Sequence, residues 1–457
     1  MNARSSRHHR QPRDSERDAR LLRVISRREW LELTAVNTLA SVVWSRHAAA
    51  QSAVASPRES RIRRIIHAFE EQGFHRTGTA IDRASANWLR DEAHQAGLTA
   101  SLESFSLQRV DILSAALIVG NRRIDGIPLF DAAFTDERGV RGRLGSLDSN
   151  AEIGLAEAVP NAAGAGPLGD ARRENRHRAI VCVTRGREPG LCPSNADSFL
   201  QPFGPPVLQV SSELASWLQE QAQGSVDVEV LAHVRQTPTE AFNVTAKIAG
   251  GNPALPPLVI MTPRSGWYWC ASERGGGLAC WLELMRILHR EKPARDVVFV
   301  ASSGHELGHL GINAFVDRRP GIVSSSVGWI HLGANIGAAR SARGQLRPTD
   351  TTSTIPLSAG LAQAGGNTVQ ASDDQIERML AQAMTSTNLT IDVRVPRNRV
   401  PGGEAEVVHR GGGRYVSVIG SNVMFHNPSD RGPEVIDARV IAAFVEAFGI
   451  VAKTLAG

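Results

Sequence analysis

The run Val297–Gly311, VVFVASSGHELGHLG, constrains this chain more than any other stretch. Val297, Val298, Phe299, Val300 and Ala301 lead through Ser302, Ser303 and Gly304 into His305-Glu306-Leu307-Gly308-His309. An apolar run of that length, closed by small residues and followed by side chains that bind metals or move protons, is how a buried central strand delivers chemistry at its carboxyl end. The stretch predicts the floor of an active or formerly active site.

Taken alone, His305-Glu306-x-x-His309 is the H-E-x-x-H pattern, in which two histidines one helical turn apart hold zinc and the glutamate acts as general base. That reading needs an established helix. Here the motif follows a strand directly and contains Gly308, with Gly311 just beyond, each costing a helix about 1 kcal/mol. The competing reading makes Gly304–Gly308 a strand-end loop.

The chain of 457 residues is 42% hydrophobic and 21% charged, enough to bury a large core in two domains. A net charge of +5, with much of the excess in the first 65 residues and no basic stripe interleaved with aromatics, argues against nucleic acid as a partner. The four cysteines form no Cys-x-x-Cys pair. Disulfides Cys182–Cys192 and Cys270–Cys280, or buried free thiols, are both compatible with their spacing.

Residues 1–50 look like a targeting segment. Basic residues lead to Ser26-Arg27-Arg28-Glu29-Trp30-Leu31, a weakly apolar stretch Thr34–Trp44, then Ala48-Ala49-Ala50. This resembles a twin-arginine (Tat) export signal peptide, placing the mature protein in the periplasm or outside the cell. The alternative is a disordered basic leader with one amphipathic helix. No stretch is long enough for a membrane span.

Downstream, apolar spacing predicts helices over residues 62–69, Ile81–Ala96, Gly276–Arg290 and Ser372–Met384, the last with a Ser372/Gln375 capping box, and a closing helix Glu434–Leu455. Strands are expected at Ser101–Leu107, Asn243–Gly250, Pro257–Met261, Val297–Ala301, Val327–Leu332, Leu389–Val395 and Tyr415–Ile419. Strands alternating with helices imply an α/β fold, a mostly parallel central sheet with helices on both faces. Residues 110–240 change texture to short strands and Gly/Pro/Asn turns, an inserted β-rich segment. The domains expected are thus 1–50, 55–109, 110–240 and 241–457, the second and fourth forming one unit.

With these elements placed, the chain resembles the zinc-dependent exopeptidase family of bacterial leucyl aminopeptidase and aminopeptidase Y, to which glutaminyl cyclases are related. The strand corresponding to Val297–Ala301 ends there in G-E-E-x-G, a general base followed by a metal ligand. Arg178–Arg185, Pro205–Val210 and helix Ser212–Gln223 resemble the protease-associated domain that many exported members carry, which walls or gates the substrate cleft. The resemblance covers Arg61–Arg109 and Asn243–Gly457 and implies a two-zinc site. Residue by residue, that site is degenerate. The first histidine of H-x-D is replaced in Pro263-Arg264-Ser265, the bridging aspartate by Glu273 in Cys270-Ala271-Ser272-Glu273-Arg274, and the base by His305. Glu306 keeps a ligand position, Gly333 stands where another ligand should be, and Phe425-His426-Asn427-Pro428-Ser429-Asp430 keeps the late histidine.

Both ligands private to one metal are therefore absent, while Glu273, Glu306 and His426 remain for the other. Three N/O ligands with an open fourth position suit one catalytic zinc, with Asp430 orienting the ligand set. His305 would handle the proton. Arg264 and Arg274, at the lost metal's place, would hold a substrate carboxylate or carbonyl, or else be solvated loop arginines. Trp267 would wall the cleft or pack under the insert, and His309, His331 and His409 are read as structural. The expectation is an exported metallopeptidase-like hydrolase acting on a peptide or small amide. The alternatives are an inactive peptidase-like scaffold that binds, a possible pseudoenzyme, and the H-E-x-x-H zinc protease.

Overall fold

The structure is a computed structural model that describes residues 55–338 and 366–457; the expected export signal lies outside the described residues. Helices α1 (Pro57–Glu70) and α2 (Ala80–Gln95) open it, each with a hydroxyl N-cap, Ser56 and Thr79. Ile62, Ile65, Ile66 and Phe69 bury one face of α1 at the predicted spacing.

Next come β1 (Ala100–Val119), β2 (Arg122–Asp125), β3 (Ile127–Pro128), β4 (Val140–Ser146), β5 (Ile153–Ala158), α3 (Gly166–Glu174), β6 (Ala179–Thr184), β7 (Val207–Ser211), α4 (Ala215–Gln223) and β8 (Asp227–Ile248). The expected boundaries near 110 and 240 are not chain breaks. Strands β1 and β8 run through them as one antiparallel ribbon, from Ala100 opposite Ala246 to Val119 opposite Val228. Its polar middle is neutralised internally: Arg109 pairs with Asp111 at 2.7 Å, and Thr237 donates to Asp111 at 2.6 Å. A charge pair along β1, tied across to β8 by Thr237, lets an apparently loop-like sequence stay extended. Beyond the ribbon, β4, β5, β6 and β7 form a parallel sheet with its own apolar cores.

The remainder comprises β9 (Leu258–Pro263), α5 (Gly275–Glu291), β10 (Val297–Ser302), α6 (Leu310–Asp317), α7 (Ile322–Ser325), β11 (Gly328–Leu332), β12 (Thr368–Ala371), α8 (Asp374–Ser386), β13 (Val393–Arg394), α9 (Ala405–Arg410), β14 (Tyr415–Ile419) and α10 (Ala438–Ala456). Strands β10, β9, β11 and β14 are parallel neighbours in that order. Alternation along each strand splits the core. Ile260, Phe299, Ile330 and Val418 pack with α1, α5 and α10, and Met261, Val300, Trp329 and Tyr415 pack with α6, α7 and α9. Helices thus cover both faces, as the sequence pattern requires.

Two local expectations shift. Asp373, not Ser372, caps α8, accepting from the amides of Gln375 and Ile376 at 2.9 Å each. The strand expected over Leu389–Val395 shrinks to Val393–Arg394. All four cysteines are free and buried, so neither disulfide forms.

Candidate functional site

Parallel pairing of β10 with β9, Ser302 opposite Pro263, brings their carboxyl ends level. The next residues, Arg264-Ser265 and Ser303-Gly304-His305-Glu306, therefore share one edge, and Gly304 turns the chain there at φ 85°. Glu306 is buried, one carboxylate oxygen accepting from the Thr77 amide and the other from Ser265 Oγ, both at 2.7 Å. Ser265 Oγ in turn accepts from the amides of Gly304 at 2.8 Å and His305 at 3.1 Å. Burial raises the Glu306 carboxyl from its ordinary range, opposed by the Ser265 and Thr77 bonds.

Glu273 and Arg274 sit just before α5. An Arg274 guanidinium nitrogen lies 2.7 Å from Glu273 Oε1, both side chains sealed from solvent, while Arg274 Nε donates to the Ser265 carbonyl at 2.7 Å. Burial alone would push the Glu273 carboxyl up; Arg274 and then His426 overcome it and hold the group well below the usual carboxylate range. His426 Nδ1 lies 2.6 Å from the Pro193 carbonyl. A carbonyl only accepts, so Nδ1 carries the proton, and Nε2 is left 3.5 Å from Glu273 Oε1. Asp430 does not touch the imidazole. It accepts from the Ser272 amide and hydroxyl and the Glu273 amide at 2.9, 2.6 and 3.0 Å, fixing the loop that carries Glu273, and burial pushes its carboxyl up to about 7.

Zinc does not fit these residues. Glu273 and His426 are brought together, but Glu306 is turned to the Thr77 amide and the Ser265 hydroxyl, and a guanidinium already lies against Glu273. Among the described residues no three metal-ligating side chains converge. The H-E-x-x-H reading fails on backbone geometry: residues His305–Leu307 form a single 3-10 turn, and His309 lies at φ 60°, outside any helix.

Two expected substrate contacts are corrected. Arg264 is neither solvated nor in the cleft; fully buried, it pairs with Asp82 at 2.9 Å and donates to the carbonyls of Asp82 and Phe242. Trp267, also buried, packs edge-on against Phe130 and donates its indole N–H to Asn195 Oδ1 at 3.1 Å, so it packs against residues of the 110–240 segment rather than walling a cleft.

The sequence did not reveal Glu404. Fully buried, it accepts from His305 Nδ1 at 2.9 Å and meets His331 Nε2 at 3.3 Å, while His331 Nδ1 lies 2.8 Å from Ser417 Oγ. His331 and Ser417 are register partners on β11 and β14, which explains their meeting. Two histidines hold the Glu404 carboxyl well below its usual range despite burial, which alone would raise it. Burial, and after it Arg274, pushes His305 down to about 4. No motif marks Glu404; it follows Gly402-Gly403, and only the approach of the loop to β10 and β11 gives it a role. His305, His309, His331 and Glu404 line a cavity of about 1170 Å³, together with Asn161, Asn195 and Asp197 from between β5 and β7. Glu273, Glu306 and His426 do not line it.

In sequence comparisons no family model and no curated protein matches the chain. Solved structures do. The zinc aminopeptidase BSAP from Bacillus subtilis superposes with a TM-score of 0.65 at 14% identity, covering 86% of this chain and 93% of that one. A peptidase M28 precursor from Shewanella amazonensis gives 0.66 at 14%, covering 88% and 93%. An aminopeptidase from Aneurinibacillus gives 0.61 at 14%, covering 87% and 94%. The fold is that of the zinc aminopeptidases. Identity this low carries architecture, not chemistry, and the aminopeptidase-like fold here surrounds a centre in which a guanidinium lies against Glu273, the carboxylate expected to hold a single zinc.

Proposed function

We propose that this chain is an exported, metal-independent protein of the aminopeptidase fold that binds a peptide or small amide in the cavity under the insert. The observation that carries the reading is Arg274. Its guanidinium ion-pairs with Glu273 and is anchored on Ser265, whose hydroxyl also engages Glu306. A fixed cation at that point supplies the charge that a metal would otherwise supply, and repels one that arrives. Export rests on the twin-arginine-type leader.

A second reading, a hydrolase with one zinc, is favoured by one feature. His426 donates Nδ1–H to a backbone carbonyl and turns Nε2 toward Glu273, the orientation that metal-binding histidines adopt. If that reading held, Glu273 and His426 would be the residues to hold the ion, and zinc would supply a Lewis acid.

Metal analysis of protein purified without chelator decides between the two. The expected content is far below one zinc per chain, with no turnover of aminoacyl amide substrates. About one zinc per chain, lost on His426→Ala, would overturn the proposal in favour of the hydrolase.

A further inference from the structure

Resting on that ligand-binding reading, we infer that the cavity selects an uncharged amide, whose N–H donates to His305 Nε2 and whose carbonyl oxygen accepts from Asn195 Nδ2. Both side chains are more than nine-tenths buried, and both line the cavity.

Their hydrogen-bonding directions follow from their partners. An indole N–H only donates, so the 3.1 Å bond from Trp267 turns the Asn195 oxygen away from the ligand and leaves its NH₂ for it. An ionised carboxylate only accepts, so the 2.9 Å bond to Glu404 places a proton on His305 Nδ1, and burial of the ring, which disfavours the imidazolium, leaves Nε2 with a lone pair. Glu404 cannot turn away, because His331 holds its other oxygen and Gly403, at φ 68°, packs against both imidazoles. The floor therefore presents a fixed acceptor and the insert a fixed donor.

An amide carries the complement of each, a donor N–H and an accepting carbonyl oxygen. A carboxylate would set its lone pairs against the His305 lone pair, and an ester has no N–H to give. The surrounding charges leave no strong anion site beside the pair. Arg410 is tied to Glu406 at 2.6 Å and Arg394 to Glu377 at 3.3 Å, and Asp197 faces the same space. Arg399, on the exposed rim, is the place a carboxylate would choose instead. In this arrangement Glu404 is a positioning residue: it sets the tautomer and touches no ligand.

The test is calorimetric titration of the full chain, dialysed against chelator, with N-methyl carboxamides and the matched carboxylic acids and methyl esters, none of which carries a second amide. Amides should bind on the order of tenfold tighter than either, and Asn195→Asp should remove about that factor, as expected when one buried partner is lost. Glu404→Gln should lower amide affinity while the amide-over-ester ratio falls toward one. Nitrogen NMR of the wild-type imidazoles is an independent readout that needs no variant to fold: the His305 Nε2 resonance should be that of an unprotonated nitrogen and should shift on amide addition. Equal binding of acid or ester, an Nδ1-unprotonated His305, or no amide binding at millimolar concentration would overturn the inference. Zinc in the untreated protein with the same amide preference after chelation would overturn the metal-free reading alone.

Discussion

Arg274 shows how one residue can settle the character of a site. Its position before α5 was readable as lying near a lost metal, but whether it faced solvent, substrate or carboxylate depended on a loop whose shape is set from outside by Asp430. Cys270, His309, Asn335 and His426 all adopt positive φ around this point, between 54° and 66°. Non-glycine residues held there are strained, and surrounding packing must fix them. Removing the cation should expose what it offsets: Arg274→Met leaves Glu273 buried without a counter-charge and should lower unfolding free energy by about 3–5 kcal/mol in urea titration. The double variant Arg274→Met/Glu273→Gln, with neither charge of the pair left, should recover much of that loss.

At the level of elements, the triple glycine that opens α5 matters for approach rather than for turning. A Cβ on Gly276 would fall 1.8 Å from the Ile336 carbonyl oxygen, so only glycine lets the helix start beside the loop after β11. Helix α8 offers a cleaner experiment. Asp373 caps it and bonds Arg414 at 2.7 Å, a partner that lowers its carboxyl to about 2. Asp373→Ala should cost about 1 kcal/mol at neutral pH. Because the folded-state value lies below the unfolded one, near 3.9, the charge-dependent part of that stabilisation is present above pH 4 and lost as pH falls toward 2. Unfolding midpoints of the two proteins measured across that window should converge.

At the scale of the whole molecule, the β1/β8 ribbon decides where ligand can go. By carrying β4–β7 back toward the carboxyl edge of β10, where the Ala196 amide donates to the Glu306 carbonyl at 2.8 Å, it places Asn195 and Asp197 on the cavity that His305 and His331 line. All four cysteines are buried, Cys182 in the core of residues 110–240 and Cys270 and Cys280 in that of the central sheet. Cys182 is pushed up to about 12 and Cys192 to about 11, each by burial, so neither offers a thiolate at neutral pH. A thiol reagent should therefore detect essentially none in the native protein and four after unfolding in denaturant, with no change in melting temperature on adding reductant. Fewer than four after unfolding would show a disulfide.

Much of the architecture was legible because periodicity is local. Ile62 to Phe69, Val297 to Ala301 and the alternating faces of Leu258–Met261 each report burial through spacing alone, and helices on both faces of a parallel sheet follow from their order. The residues at the strand ends could also be named, since the end of a buried strand is where a side chain must leave the core. What those residues do was decided only in three dimensions. Glu306 keeps a ligand's position in the chain yet spends both oxygens on Thr77 and Ser265; Arg264 looks like a loop cation yet is sealed against Asp82; Glu404 has no signature at all until His305 and His331 close on it. The physical reason is that a buried polar group must find its partner wherever the fold puts one, and partners separated by tens to hundreds of residues leave no periodic trace in the chain.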